Sequence, residues 1–258
     1  MKKKKYSPKI SIIMVVFNEE KTLIKSIQSI LIQNFKKYEL LIYDNNSSDK
    51  TKYFLRKISN NNEKIKVFFS KKNLGLTEGL NFLLKKTKSD VIARLDGDDF
   101  WNANKLRLQF NFFKNSKRNF VGTNSYYFKN NKVLSSSNLP LTNREIRKKI
   151  IYTNPFIHSS IMFNKRYFSE YDTKYIKCQD YDAWLKLSKN ENLEFKNISR
   201  RLTYHNLSNR LHFLTIINDL KIRFRHLKNL NFINFISSTL YILYSIIILL
   251  IKFLINKK

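Results

Sequence analysis

Between residues 9 and 95, short apolar runs alternate with segments whose apolar positions recur every three or four residues. "KISIIMVVF" (9–17), apolar without a break from Ile12, reads as a buried strand, after which Leu23, Ile27, Ile30 and Leu31 fall at helical spacing. "ELLIY" (39–43) predicts the next strand, followed by the turn-rich "DNNSSD" and a short helix. "IKVFF" (65–69), a helix over "TEGLNFLLKK" (77–86) and "DVIARL" (90–95) complete the series. Runs without polar alternation mark strands covered on both faces, and strands separated by helices pair in parallel. Farther on, a helix is predicted near 103–114, strands at 119–128, 133–136 and 159–163, a helix over "QDYDAWLKLSK" (179–189), and one or two strands over 193–205. From about residue 212 the chain turns helical and basic, and it ends in the apolar stretch 232–255.

Polar residues gather where the first strands end. Phe17-Asn18-Glu19 closes the first, Asp44-Asn45-Asn46 the second, and Asp96-Gly97-Asp98-Asp99 the last. In an open α/β sheet the carboxyl edge is where ligands bind. Neither the G-x-G-x-x-G fingerprint nor the G-x-x-x-x-G-K-[ST] loop occurs, which argues against a dinucleotide-dependent dehydrogenase and a P-loop enzyme.

Composition narrows the class. The 258 residues are 43% hydrophobic and 14% aromatic, enough for a packed core. A formal net charge of +30 is spread along the whole chain, so it reads first as a solvated surface, next as attraction to an anionic membrane or a phosphate-bearing ligand, and last as nucleic-acid binding. Cys178 is the single cysteine, which excludes an intrachain disulfide; it reads as a small half-buried side chain rather than a reactive thiol. The basic start and apolar run of the first 17 residues superficially match a signal peptide, but the run stops in Asn18-Glu19-Glu20 without a small-residue cleavage site, so a strand is expected.

Three aspartates in four positions repel one another unless something positive lies among them. Asp98 or Asp99 could cap the following helix, or the cluster could be an exposed turn. A calcium loop fails, because Trp101 and Arg107 stand where glycine and a bidentate glutamate are needed. A hard divalent cation shared with a diphosphate is the functional reading, and it is compatible with a cap.

At this point "PKISIIMVVFNEEKTLIKSIQSILIQ", "ELLIYDNNSSDKT", "KNLGLTEGLN", "DVIARLDGDDFW", "NPFIHSSIMFNK" and "QDYDAWLKLS" resemble, in this order, the successive motifs of family 2 glycosyltransferases of the GT-A fold, over residues 8 to 205. The resemblance implies a Rossmann-like α/β domain with a mostly parallel sheet and helices on both faces, here over 1–210, followed by a basic, apolar helical region over 211–258. It implies inverting transfer of a sugar from a nucleotide diphosphate sugar to a hydroxyl of a glycan or lipid-linked acceptor, with Mn²⁺ or Mg²⁺, in surface-glycan biosynthesis. By the same resemblance Phe17, Asn18, Glu19, Asp44 and Asp96 bind the donor nucleotide, Asp98 and Asp99 hold the metal, and Asp180 is the catalytic base. His158 fits an acceptor or diphosphate contact and equally a histidine satisfied within a strand; Trp184, four residues beyond Asp180, fits the core or an acceptor platform. Tyr204 and His205 match the family's closing Y-x-x-H imperfectly and receive no role. Val15-Val16 in place of a proline and Asn45 in place of an acid depart from the pattern and bear on donor identity.

The stretch 232–255 includes Asn234, Ser237, Ser238, Thr239, Ser245 and Lys252, leaving an apolar core only from Leu240 to Ile251. It is expected to contact a membrane, spanning it or lying in its interface, with the protein on the cytoplasmic face; a buried core helix is the alternative. No nucleic-acid partner is expected. The competing class is a non-catalytic nucleotide- or glycan-binding protein on a degenerate domain of the same fold.

Overall fold

The computed structural model describes residues 7–114, 120–168, 170–207 and 213–227, together with Ile236, Ser237, Leu240, Tyr244 and Ile247. Strands β1 (Ile10–Val16), β2 (Tyr38–Asp44), β3 (Ile65–Phe69) and β4 (Val91–Arg94) alternate with helices α1 (Leu23–Leu31), α2 (Thr51–Asn60) and α3 (Leu76–Lys86). All four strands pair in parallel, in the spatial order β3, β2, β1, β4. Every residue of β1 and β2 is buried, because the strand period of two sends alternate side chains into two separate cores. Ile13 and Val15 enter one with Leu41 and Tyr43, whereas Ile12 and Met14 enter the other with Leu40 and Ile42. This is why their sequence reads as continuous rather than alternating hydrophobicity.

The chain leaves β1 toward β2 and β3, then crosses back to β4 on the other side. That reversal opens a crevice between the carboxyl ends of β1 and β4.

Beyond β4 the sheet is mixed, which corrects the mostly parallel expectation. After β5 (Phe100–Trp101) and α4 (Lys105–Lys114) come β6 (Phe120–Lys129), β7 (Lys132–Ser136), α5 (Asn143–Lys149), a 3₁₀ turn (His158–Ser160) and β8 (Met162–Asn164). The chain continues through α6 (Gln179–Leu187), β9 (Phe195–Asn206) and α7 (Phe213–Leu227). β8 lies antiparallel between β4 and β6, β9 runs parallel to β6, and β5 pairs antiparallel at the outer edge of β9. β7 folds back on β6 through Asn130 and Asn131, both at positive φ, a two-residue turn that can join only antiparallel strands.

α5 was not foreseen. It exposes most of its surface and buries only Ile146, but a capping box starts it: Thr142 Oγ1 accepts from the Glu145 N–H, and Glu145 returns the bond to the Thr142 N–H. α7, placed by sequence in the C-terminal region, packs on α6 and contributes Ile222 to the core. The expected tail, 232–255, lies outside the described residues except for five helical positions. Among the described residues no helix is long and apolar enough to cross a membrane.

Candidate active site

The crevice between β1 and β4 widens into a cleft of about 510 Å³. Phe17 and Glu19 line it from the end of β1, Asp96 and Asp98 from the end of β4, His158 from the 3₁₀ turn, and Asp180 from the start of α6. A hollow of similar size beside α5, lined by Leu139, Pro140, Lys148 and Tyr152 among others, gathers no comparable set of acids.

Gly97 permits the turn between the two aspartates. A Cβ there would lie 2.9 Å from Val16 Cγ1 and 3.1 Å from Glu19 Cγ, so the loop could not press this closely on β1. Asp96, Asp98 and Asp99 offer oxygens that all lie within 4.8 Å of one another. Their mutual repulsion is relieved unequally. Asp96 forms a bidentate pair with the buried guanidinium of Arg94 and accepts from Ser159 Oγ at 2.7 Å. Asp99 is fully buried; its Oδ2 lies 2.8 Å from His205 Nδ1 and its Oδ1 accepts from the Asn206 N–H at 2.7 Å.

Among the described residues Asp98 accepts a single hydrogen bond, from the Asn206 side-chain amide at 3.2 Å. Burial, then the charges of Asp99, Asp96 and Glu19, push its carboxyl up to about 7. Among the described residues Asp98 has no ion pair of its own, the His205 charge offsetting it only in part, and the three acids together could hold a divalent ion. Asp99, grouped with Asp98 as a metal ligand by sequence, stays within the group of three acids that could hold an ion, with one oxygen beside His205 and the other bonded by the Asn206 N–H.

Arg94 and His205 were missed in the sequence. Arg94 stands two residues before Asp96 along a strand and its extension, a spacing that places both side chains on one face. His205 is 106 residues from Asp99, and the imperfect Y-x-x-H match was its only trace. Burial works against its charge, but Asp99 outweighs that, assisted by Asp96 and Asp98, and raises it to about 9. With the folded value above the ordinary 6.5, the stabilisation is complete below about pH 6.5 and lost as the pH rises through about 9. Thermal melts in chelator are therefore expected to show falling stability across that interval, and His205→Gln is expected to abolish the fall.

The remaining donor-side residues divide. Phe17 is exposed at the rim, and Glu19 is held by Thr22 Oγ1 at 2.7 Å with its carboxyl raised, chiefly by burial. Asn18 does not line the cleft; at positive φ it bridges β1 to the loop after β2, its Oδ1 accepting from Ser48 N–H and its own N–H donating to Ser47 Oγ. Asp44 is fully buried and accepts from the Ser47 N–H, so its neighbour Asn45 faces the cleft in its stead.

On the opposite wall, Asp180 occupies the first turn of α6, where the helix dipole favours a carboxylate. Asn154 Nδ2 donates to its Oδ2 at 2.7 Å. Burial raises its pKa, opposed by N–H bonds from Tyr181 and Asn154 and by the charge of Arg94. His158 Nε2 lies 2.9 Å from the Tyr171 hydroxyl; burial, Arg94 and His205 hold its pKa well below 6.5, so the ring is neutral. Cys178 also faces the cleft, but burial pushes its thiol up to about 12 and removes it as a nucleophile. Trp184 does not reach the cleft. It is fully buried among Phe120, Phe156, Phe168 and Tyr171, because α6 is enclosed on nearly every side and not only on the face opposite Asp180.

Comparison with known proteins adds a decisive observation: the sequence profile of glycosyl transferase family 2 matches residues 11–172. The chain belongs to glycosyl transferase family 2. It is 28% identical over 193 residues to the UDP-Glc:alpha-D-GlcNAc-diphosphoundecaprenol beta-1,3-glucosyltransferase WfgD of Escherichia coli, covering 73% of each chain. Over 189 residues it is 33% identical to the putative glycosyltransferase EpsE of Bacillus subtilis, covering 69% of this chain and 66% of that one. Among solved structures, S. aureus TarS in complex with UDP superposes with a TM-score of 0.69 at 20% identity, over 86% of this chain and 66% of that one. The mannosyltransferase PcManGT of Pyrobaculum calidifontis, in complex with GDP-Man and Mn²⁺, gives 0.67 at 14% identity, over 92% and 70%. These two likenesses establish the GT-A-like fold of this family 2 glycosyltransferase. The mixed right half of its sheet, with β8 antiparallel beside β4, is part of that fold.

Proposed function

We propose that this glycosyltransferase moves a sugar from a uridine diphosphate sugar to a hydroxyl of a glycan carried on a lipid diphosphate, with inversion, during assembly of a surface polysaccharide. The observation that carries the reading is a single cleft with two independent carboxylates: Asp98 on the β4 wall and Asp180 on the α6 wall. The named donor and acceptor of the E. coli relative, and the UDP bound by the S. aureus structure, support the choice of substrates.

Phe17 offers a ring to the base, and Asp98 would hold Mn²⁺ or Mg²⁺. Bound there, the ion would neutralise charge on the departing diphosphate. Asp180 takes the proton from the acceptor hydroxyl as its oxygen bonds to the anomeric carbon, the bond from that carbon to the diphosphate breaks, and UDP leaves. Asn154 holds the carboxylate in place through this step. His158, uncharged, can hydrogen-bond a sugar hydroxyl without adding charge to the site. The test is incubation with UDP-glucose or UDP-N-acetylglucosamine and a GlcNAc-diphosphate-lipid acceptor: a β-linked product with stoichiometric UDP supports the reading, whereas binding of the nucleotide without release of UDP leaves only a binding protein.

The membrane contact belongs to the same reading. Ile236, Leu240, Tyr244 and Ile247 are helical, each between 41% and 61% exposed. An apolar stretch after a basic helix suits the interface of an anionic bilayer, where each cationic side chain adds about 1 kcal/mol. Deleting residues 230–258 is expected to shift the protein from the membrane to the soluble fraction, measured by flotation, with UDP-sugar hydrolysis intact. Unfolding of the truncated chain would instead make the stretch a core element.

A further inference from the structure

Asp180 is fixed by three pieces of chain, and α7 fastens each of them. The first is the turn before Asn154. Arg223, nearly buried, donates from one terminal nitrogen to the carbonyls of Tyr152 at 2.8 Å and Ile151 at 3.2 Å, while its Nε is held by Asp219 at 2.7 Å. Two residues on, Asn154 makes its bond to Asp180, with its own amide oriented by the Phe156 N–H. The second is the left-handed entry to α6. Asn218 Nδ2 donates to the Lys177 carbonyl at 3.2 Å, next to Cys178 at φ 60°. The third is α6 itself. Asp182, fully buried, meets His226 Nε2 at 2.7 Å and Lys186 Nζ at 2.7 Å. The Arg223 guanidinium also lies 5.0 Å from the Tyr181 ring, and the Tyr181 hydroxyl donates to the Ile150 carbonyl, closing the circuit between the turn and the helix.

None of these contacts touches the cleft's donor wall. A guanidinium that satisfies two backbone carbonyls and a carboxylate in a nearly dry site makes a rigid joint, since each of its bonds is charge-assisted. We propose that Arg223 is a positioning residue for sugar transfer: from α7 it sets the 151–152 turn from which Asn154 aims the Asp180 carboxylate at the acceptor. The inference rests on the assignment of Asp180 as base. It makes α7 part of the catalytic apparatus as well as the lead into the tail.

The test uses the 258-residue chain with Mn²⁺ and the GlcNAc-diphosphate-lipid acceptor, reading UDP release from UDP-glucose for kcat and KM and UDP affinity by calorimetry. A misaligned catalytic group can cost on the order of 10²-fold, so Arg223→Gln is expected to lower kcat by about 10–100-fold with donor KM and UDP affinity within about twofold. Arg223→Lys, which keeps the charge but loses the planar fork, is expected to recover part of that loss. Because Arg223 acts through Asn154, the double variant Arg223→Gln/Asn154→Ala is expected to be no slower than Asn154→Ala alone. Additive losses in the double variant, or kcat unchanged in Arg223→Gln while Asp180→Asn is inactive, overturn the inference and leave the base assignment standing. Loss of UDP binding in both Arg223 variants also overturns it, making the residue a general fold determinant. Normal turnover by Asp180→Asn removes the base assignment itself.

Discussion

Replacing Asp180 by Asn is expected to slow sugar transfer by about 10²–10⁴-fold, the usual contribution of a positioned base, while UDP and metal binding persist. An acceptor hydroxyl is a weak nucleophile until its proton is taken, and in an inverting displacement it attacks from the side opposite the departing diphosphate. Asp180 lines the wall facing the Asp96–Asp98 turn, which is where such a base is needed. Burial raises its pKa, making it a stronger base than an exposed aspartate, and the Asn154 and Tyr181 N–H bonds keep it from rising without limit. An Asn side chain retains an oxygen for the Asn154 amide, so the fold around it has little reason to change. Asp182 is the instructive contrast. It carries the same carboxylate two residues away, but His226 and Lys186 outweigh its burial and hold its pKa low, and no part of it is exposed. Near-normal transfer by Asp180→Asn, with activity lost in Asp182→Asn, would transfer the role to the neighbour.

Asp98→Asn is the second large effect. Here the expected loss is in binding: the gain in UDP affinity on adding Mn²⁺ should fall by more than the roughly 10–100-fold that removing an outer metal partner costs. Asp96 and Asp99 are expected to compensate only in part, because Arg94, Ser159, His205 and Asn206 already bond their oxygens. The same substitution removes a charge that burial and the neighbouring acids disfavour and that His205 offsets only in part, so the metal-free protein is expected to melt at a higher temperature than the unmodified chain. Such a gain in stability with a loss of function marks a site that stores repulsion for its ligand. Unchanged UDP affinity with Mn²⁺ would place the ion elsewhere.

Much of the left half of the molecule was legible in the sequence. β1 and β2 are mainly apolar runs buried on both faces, so propensity and burial point the same way, and their carboxyl ends announce the cleft; β3, half-buried at the sheet edge, still reads as a strand. The right half was harder for physical reasons. β5 is two residues long and exists only because β9 lies beside it. α5 buries one side chain, so it has almost no apolar periodicity; its only local signal is the Thr142-to-Glu145 capping spacing. The antiparallel insertion of β8 between β4 and β6 joins segments about 70 and 40 residues apart, a choice made by packing and not by any local pattern.

The site shows the same division. Acids at strand ends were readable one by one, but which of them remained without a counter-charge was not, since that depends on His205 arriving from β9 and on the pairing of Arg94 with Asp96. Trp184 illustrates the opposite error. Spacing of four puts it on the Asp180 face of an isolated helix, but α6 is packed nearly all round, and the ring belongs to the aromatic core.

Titration of UDP in the presence of Mn²⁺ into the unmodified chain, Asp98→Asn and Asp180→Asn tests the division of labour between the two walls most directly. The account predicts that Asp180→Asn binds UDP as the unmodified chain does, whereas Asp98→Asn loses the Mn²⁺-dependent part of the affinity. Equal loss of affinity in both variants, or loss in Asp180→Asn alone, would contradict it.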